Sequence, residues 1–304
     1  MAGFLTRSMS RIRMLTDEPT TSVKYSDANL IDFIQSAWSD ILSDLCAVSG
    51  NPIIVRHDIA FSSTDRTYVL PPTNGTILRL AKVNSDTGAI EWSVTPRSRF
   101  NPAGPGFTIE ANVLRLSTAW VGTSETLRLD YIPTGSAELH EGSLDTAPTD
   151  IVNATPSVVL AATPTTGSLD TRPNAYAGQV FRILTSTGGA TPNNFVQDRV
   201  ITAYDVTTRI ATLSAPYETG LVPAGTTITY EIAPMFYHAD DFAVAYKVAA
   251  SLLSVEGTAS RAARIEREFA KKMRELRLRA VNISAIMGTR FVHDTHANRR
   301  YSQW

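Results

Sequence analysis

The first strong hydrophobic pattern of the chain has the period of a helix. Between Ser26 and Val48, apolar residues recur at every third or fourth position, as on one face of an amphipathic helix. That face consists of Leu30, Ile31, Phe33, Ile34, Ala37, Trp38, Ile41, Leu42, Leu45 and Val48. Ser26 or Asp27 can cap the start of the helix, and Gly50 can end it in a left-handed conformation. An apolar face this wide must be covered by another element.

The helical period then disappears, and short β-branched runs alternate with turn residues. Segments such as "ILRLAKV" and "LRLDYI" place their apolar side chains on one side, as half-buried strands do. The runs form two blocks, 52–135 and 157–234, and the second predicts a small sandwich or barrel. A passage rich in Thr, Pro, Gly and Ser predicts a linker over 136–156. In the second block, "RVITAY" and "RIATLS" flank "DVTT", which predicts a hairpin with Asp205 at the entry to its turn.

Helical periodicity returns over 235–282. The segment "HADDFAVAYKVAASLLSVEG" predicts one helix, which Asp240 or Asp241 can cap and which Gly257 ends. The next segment, "TASRAARIEREFAKKMRELRLRAVN", predicts a long helix with an apolar stripe opposite a strongly basic face. The stripe consists of Ala259, Ala262, Ala263, Ile265, Phe269, Met273, Leu276 and Ala280.

The periodic pattern fades near Asn282, so residues 283–304 predict an extended C-terminal tail that carries aromatic and arginine side chains. The element order predicts an α+β fold. Residues 1–51 and 235–282 would form one helical platform, because the N-terminal helix can bury its apolar face against the C-terminal helices. The antiparallel β modules would be insertions that project from this platform.

Composition narrows the class of protein. A hydrophobic share of 43% is typical of a globular protein, and no run of eighteen apolar residues predicts a membrane span. The first residues, "MAGFLTRSMSRIRMLTDEP", are basic but lack the continuous apolar stretch of a signal peptide. The single cysteine, Cys46, excludes an intramolecular disulfide and fits a chain that folds in a reducing cytoplasm. The net charge of −1 argues against a general polyanion binder.

The sequence gives little evidence of catalytic, phosphate-binding or metal-binding motifs. No phosphate-binding loop or "GxSxG" nucleophile motif occurs, and Cys46 falls within a helix pattern that predicts a buried, unreactive thiol. In "RHD", strand alternation separates His57 from its neighbours, which is poor geometry for a shared active site. The clusters "HADD" (His238 to Asp241) and "HDTH" (His293 to His296) offer too few ligands for a structural zinc ion. We therefore expect no enzyme, no cofactor and no metal site.

Two parts of the sequence resemble bacteriophage proteins. "YSDANLIDFIQSAWSDILSDL" followed by "NPIIVRHDIAFSSTDRTYVLPPTNGTILRLAKV", with a "Y-x-L-P" strand end at Tyr68 to Pro71, resembles the opening of head-to-tail adaptor (connector) proteins of tailed bacteriophages. The block from "YAGQVF" to "TTITYEI" resembles a β insertion of phage structural proteins, although its turn "TSTGGATPNN" departs from the common "GTGxGQ". The matching residues of this block are Tyr176, Gly178, Arg199, Ile201, Tyr204, Asp205 and Gly225.

The resemblance implies a structural virion protein of the neck, assembled in the host cytoplasm. Such adaptors form a ring, usually of twelve copies, below the portal protein and hold the tail or nozzle protein, and their C-terminal segment inserts between portal subunits. The residues expected to dock on the portal are Arg290, Phe291, Arg299, Arg300, Tyr301 and Trp304. The residues expected to contact the next copy, or to face genomic DNA in the channel, are Arg261, Arg264, Arg267, Lys271, Lys272 and Arg274.

Three other functions stay open at this point. A tail-fibre or baseplate component would bind a receptor through the β modules and is commonly trimeric. A carbohydrate-active enzyme would assemble its site from scattered Asp and Glu residues on β loops. A DNA-binding protein would use the basic helix, although that helix lacks interleaved aromatic residues that could stack on bases.

Overall fold

The computed structural model describes residues 2–18, 24–48, 54–62, 64–84, 89–94, 106–110, 112–117, 125–135, 137–144, 149–186, 198–217, 228–234 and 240–294. Within these ranges the chain has an α+β fold, as predicted, with helices at both ends and antiparallel strands between them. The helices are α1 (Phe4–Thr16), α2 (Asp27–Val48), α3 (Asp241–Val255) and α4 (Ala259–Asp294). Of the helices described here, none is both long enough and apolar enough to cross a bilayer.

The helices from both chain ends share one hydrophobic core, which confirms the predicted platform. Trp38, Ile34 and Leu42 of α2 are fully buried together with residues of α1, α3 and α4. The other members of this core include Phe4, Leu5, Ile12, Leu30, Ile41, Leu45, Val244, Val248, Leu252, Met273 and Leu276. Of the stripe predicted along α4, Phe269, Met273 and Leu276 face this core, and Ala262 and Ile265 are buried against α3. Ala259 and Ala263 are exposed, contrary to the prediction, and no side chain is described for Ala280.

The sequence pattern does not predict the helix α1, because the segment shows only a basic character without a continuous apolar stretch. Its apolar residues Phe4, Leu5, Met9 and Ile12 do have helical spacing, and all four are buried. This apolar stripe is short and is interrupted by arginines, so its helical period is difficult to recognise in the sequence. The helix is stabilised by packing against α3 and α2, which its local sequence pattern does not reveal.

Two predicted helix starts are confirmed, whereas Gly50, which is predicted to end α2, lies outside the described residues. The Ser26 hydroxyl accepts a hydrogen bond from the Asn29 amide at 3.2 Å, and the Asp240 carboxylate accepts one from the Phe242 amide at 2.8 Å, so both residues cap helix starts. Gly257 has a φ of +79° between α3 and α4. The prediction that α4 ends near Asn282 is wrong, since the helix continues through Asp294. "ISAIMGTRFVHD" holds no proline to stop it, and Gly288 alone costs a helix only about 1 kcal/mol.

The first β module contains two antiparallel sheets. One has four strands in the order β1-β7-β3-β4, and the other has three strands in the order β2-β6-β5. The strands are β1 (Val55–Phe61), β2 (Thr67–Val69), β3 (Asn74–Val83), β4 (Ile90–Val94), β5 (Phe107–Glu110), β6 (Val113–Leu116) and β7 (Glu125–Pro133). Along β1 the buried and less buried residues alternate, as the sequence predicts.

The second β module is a seven-stranded antiparallel sheet with the order β10-β8-β14-β11-β12-β13-β9. Its strands are β8 (His140–Leu144), β9 (Ser157–Val159), β10 (Thr166–Gly167), β11 (Val180–Ser186), β12 (Arg199–Asp205), β13 (Ile210–Leu213) and β14 (Ile228–Ala233). The predicted hairpin is β12 followed by β13, in which Asp205 pairs with Ile210 across the turn. The Asp205 carboxylate accepts hydrogen bonds from the amides of Thr207 and Thr208.

The predicted linker over 136–156 is wrong, because part of it belongs to the second module. It contains β8, which lies between β10 and β14, and a short 3-10 helix over Thr149–Val152. Leu139 and Ile151 are fully buried. The strand "HEGSL" lacks an apolar alternation because His140 and Glu141 are buried among polar partners, and the sequence alone does not reveal those partners.

Several residues of the β-insertion pattern have structural roles in this module. The Tyr176 hydroxyl accepts a hydrogen bond from the Asp170 amide at 2.6 Å. The Arg199 guanidinium binds the Pro216 carbonyl at 2.8 Å and lies 4.6 Å from the centre of the Tyr217 ring. Gly178 has a φ of +85°, which favours glycine. Gly225 lies outside the described residues.

The two β modules touch each other where β1 meets β12. The Nδ1 atom of His57 on β1 lies 3.3 Å from the carbonyl oxygen of Thr202 on β12. Val55 also packs directly over Gly178 at this junction. The two modules therefore share an interface rather than projecting independently.

Candidate interaction surfaces

Buried carboxylates join the platform to the seven-stranded sheet. Glu141 of β8 and Glu231 of β14 are direct cross-strand partners, and both point at the N-terminus of α1. The Phe4 amide donates to Glu231, and the Thr6 amide donates to Glu141 at 2.9 Å. The free amides and positive dipole end of α1 offset the repulsion between the two acids.

An arginine completes this joint from the neighbouring strand. Arg182 donates to Glu231 at 2.7 Å and, through two nitrogens, to Asp198 at 2.7 and 2.9 Å. Burial raises the pKa of Glu231, although the charge of Arg182 opposes the shift. A Cβ atom added at Gly3 would lie 2.4 Å from the Glu141 carboxyl carbon, so α1 closely covers the acids. The arrangement is a buried joint between the platform and the sheet.

A second buried polar cluster surrounds His140 on β8. Its Nδ1 atom lies 3.2 Å from the Tyr176 hydroxyl and its Nε2 atom 3.4 Å from the Tyr230 hydroxyl. The imidazole is fully buried, and this burial lowers the pKa of His140 to about 4. The side chain is therefore neutral near pH 7 and serves packing and hydrogen bonding rather than proton transfer with solvent.

The two metal candidates of the sequence have other roles or lie partly outside the described residues. Asp240 caps α3, and the Asp241 carboxylate binds Arg7 at 3.0 Å and Arg11 at 2.6 Å. His238 and His296 lie outside the described residues, and no side chain is described for His293. Among the described residues, no group of three or more His, Cys, Asp or Glu could hold a metal ion.

Cys46 is half-buried and packs against the platform core. It is therefore less completely buried than the sequence predicts.

The basic face predicted on α4 divides into two groups of side chains. Arg264, Arg267, Lys271 and Arg274, here called the basic stripe, are exposed, and within the described part of the chain none of them has a salt-bridge partner. They follow one another at intervals of three and four residues, so they lie on one side of the helix.

The other two predicted cations of α4 are engaged within the chain. Arg261 donates to the Leu15 carbonyl at 2.6 Å and pairs with Asp17. Lys272 lies 3.4 Å from Asp240 and 3.0 Å from Glu275. These two side chains hold α4 against the rest of the platform.

An acidic face on α2 was missed by the sequence analysis. This helix contains four aspartates and no lysine or arginine, a count that could have revealed it. Asp32, Phe33, Ser36 and Asp40, here called the acidic stripe, are exposed along one side. Glu138 lies nearby, where burial and the charges of Asp170 and Asp32 raise its pKa against the opposing effect of Arg172.

The residues predicted to dock on a portal lie at the edge of the described structure or beyond it. Arg290 and Phe291 belong to the last turns of α4, where only the backbone is described. Arg299, Arg300, Tyr301 and Trp304 lie outside the described residues. The part of the predicted tail over 283–294 is therefore helical rather than extended.

Comparisons with protein-family models, with curated proteins and with solved structures find no match to this chain. The assignment to phage adaptors therefore stands on the sequence motifs and remains a proposal.

Proposed function

We propose that this chain is a structural virion protein that forms a ring between the portal of a phage capsid and the tail, and that its C-terminal segment docks on the portal protein. The observation that carries the proposal is the length of α4, the last helix of the platform, which reaches the first predicted docking residues, Arg290 and Phe291. Its backbone continues eighteen residues past the buried Leu276, from 277 to 294. At the usual rise of an α-helix this distance is about 27 Å.

Docking would use the end of α4 together with residues 295–304. Aromatic and arginine side chains are the types that dominate the binding energy of protein interfaces. The segment places Phe291, Tyr301 and Trp304 beside several arginines. Such side chains can supply the binding energy of the docking contact.

The fold also bears on two of the alternative functions. The buried acids Glu141 and Glu231 are covered by α1, so they do not offer the open pair of carboxylates that glycoside hydrolysis needs. Elongated fibre proteins also commonly lack a helical platform of the kind that this chain has. The helical platform favours an adaptor over a fibre, and the copy number distinguishes an adaptor from a trimeric fibre.

The proposal is tested by removing the docking segment. A chain that ends at Ile286 should keep its platform and β modules, and its thermal unfolding and circular dichroism should match those of the full chain. It should fail to cosediment with tail-less heads that carry the portal protein. A triple variant, Arg300→Ala, Tyr301→Ala and Trp304→Ala, should fail in the same way, whereas the control Ser302→Ala, Gln303→Ala should bind. Aggregation of the shortened chain together with wild-type binding by the triple variant would refute the docking role.

A further inference from the structure

The basic stripe of α4 is an exposed surface without an assigned partner. Its four cations are followed by Leu278, which is 67% exposed and continues the same spacing of three and four residues. From Ala259 to Arg279 the helix has eight basic and three acidic residues. The surplus of positive charge is concentrated on this exposed side, because Arg261, Lys272 and Arg277 are paired within the chain.

The acidic stripe of α2 is the electrostatic complement of that surface. Asp32, Ser36 and Asp40 are spaced by four residues and lie on one side of the helix, with no cation anywhere in α2. Phe33 is 41% exposed on the same side, and its ring meets the edge of Tyr25 at 6.4 Å. An exposed aromatic beside carboxylates resembles the anchor of an interface, which pairs apolar contact with charge.

The platform already uses this pairing of helices inside one chain. Where α2 and α4 meet, Arg277 binds Asp44 at 2.7 Å, and Lys247 of α3 binds Asp40 at 2.8 Å. On the outer sides of both helices, Asp32 and the four cations of the basic stripe have no salt-bridge partner within the described part of the chain, whereas Asp40 is paired with Lys247. Two different complementary surfaces on one chain are what a head-to-tail contact between copies requires.

We propose that the basic stripe of one copy packs against the acidic stripe of the next copy, with Leu278 and Phe33 providing apolar contacts at the same interface. The occupant of each surface is a second copy of this chain. This inference rests on the proposed function, because repetition of a head-to-tail contact around an axis forms a ring. The exposed acidic stripe and a net charge of −1 argue against a nucleic acid as the partner of α4.

Two variants, each of which introduces charges of the opposite sign into one stripe, test the interface. The first, Arg264→Glu and Lys271→Glu, makes the stripe of α4 acidic. The second, Asp32→Lys and Ser36→Lys, makes the stripe of α2 basic. All four positions are exposed, so both variants should fold, as circular dichroism and thermal unfolding would verify. The control Arg115→Glu reverses a charge that is 59% exposed on the first β module.

Assembly is measured by mass photometry at low ionic strength, about 0.05 M, where charge contacts are least screened. Wild type and the control should assemble, and each variant alone should assemble at least about tenfold more weakly. A mixture of the two variants should recover assembly and incorporate them in equal numbers, because every contact then joins opposite charges. Added salt should weaken the wild-type assembly.

Each other result overturns the inference in a distinguishable way. If both variants assemble like wild type and also bind the portal protein like wild type, the proposed surfaces are wrong and the adaptor function stands. If wild type remains a monomer at high concentration and also in the presence of the portal protein, both the interface and the ring are refuted. If the first variant loses affinity for a duplex DNA probe but assembles normally, the basic stripe binds nucleic acid instead of a neighbouring copy.

Discussion

Acidification should destabilise the protein through the buried His140. In the folded protein, burial holds the pKa of His140 at about 4, whereas an exposed histidine has a pKa of 6.5. Above pH 6.5 the imidazole is neutral in both the folded and the unfolded chain, and it does not affect the pH dependence. Between pH 6.5 and pH 4 the unfolded chain binds a proton that the folded chain does not bind. The free energy of unfolding should therefore fall as the pH falls through this window.

The magnitude follows from the difference between the two pKa values. One pKa unit corresponds to about 1.4 kcal/mol, so the full window costs about 3 kcal/mol of stability. Most of this loss should be complete near pH 4, where the folded protein also begins to bind the proton. For a domain whose total stability is about 5–15 kcal/mol, the loss is a large fraction.

The assay compares urea unfolding of wild type with that of His140→Gln at several pH values. The amide of glutamine can donate to and accept from the Tyr176 and Tyr230 hydroxyls, but it does not titrate. Relative to that of the variant, the free energy of unfolding of wild type should fall by about 3 kcal/mol on going from about pH 7 to about pH 4. His57, whose pKa burial also lowers, is present in both proteins and cancels in this comparison. Parallel loss of stability in both proteins would show that His140 is not the sensor.

Three further substitutions probe the joints of the fold by chemical denaturation. Gly178→Ala and the control Gly257→Ala should each lose about 1–3 kcal/mol to backbone strain, because their φ angles are +85° and +79°. Gly178→Ala should lose more than the control, because only there would a Cβ lie 2.3 Å from another side chain, that of Val55, and equal losses would contradict this reasoning. Asp240→Ala should cost about 1 kcal/mol by removing the cap of α3, and no loss would show that the cap is dispensable. Glu231→Ala should cost about 1–3 kcal/mol because it leaves the Phe4 amide and one nitrogen of Arg182 without an acceptor, although Arg182 keeps Asp198, and a loss below that of Asp240→Ala would argue against the joint.

The sequence predicts those elements whose stability comes from a regular apolar pattern. The wide face of α2, the alternation along β1 and the hairpin at Asp205 each carry a local signal strong enough to read. By contrast, α1 and β8 depend on distant partners. Glu141 is buried in β8 because the N-terminus of α1 covers it, and neither segment reveals the other in isolation.

The candidate surfaces can likewise be predicted only in part from the sequence. The spacing of basic residues predicts that α4 has a charged side, but only the packing separates the exposed Arg264 and Lys271 from the engaged Arg261 and Lys272. The acidic side of α2 was readable from its composition. Its significance depends on knowing that the same platform carries a basic stripe, which requires the tertiary structure.

The most direct test of the proposed function is the mass of the assembled wild-type protein, measured by native mass spectrometry alone and after binding to the portal protein. The account predicts a closed ring of a single copy number, with twelve copies expected from the adaptor resemblance. A trimer, or a chain that stays monomeric even in the presence of the portal protein, would contradict the account.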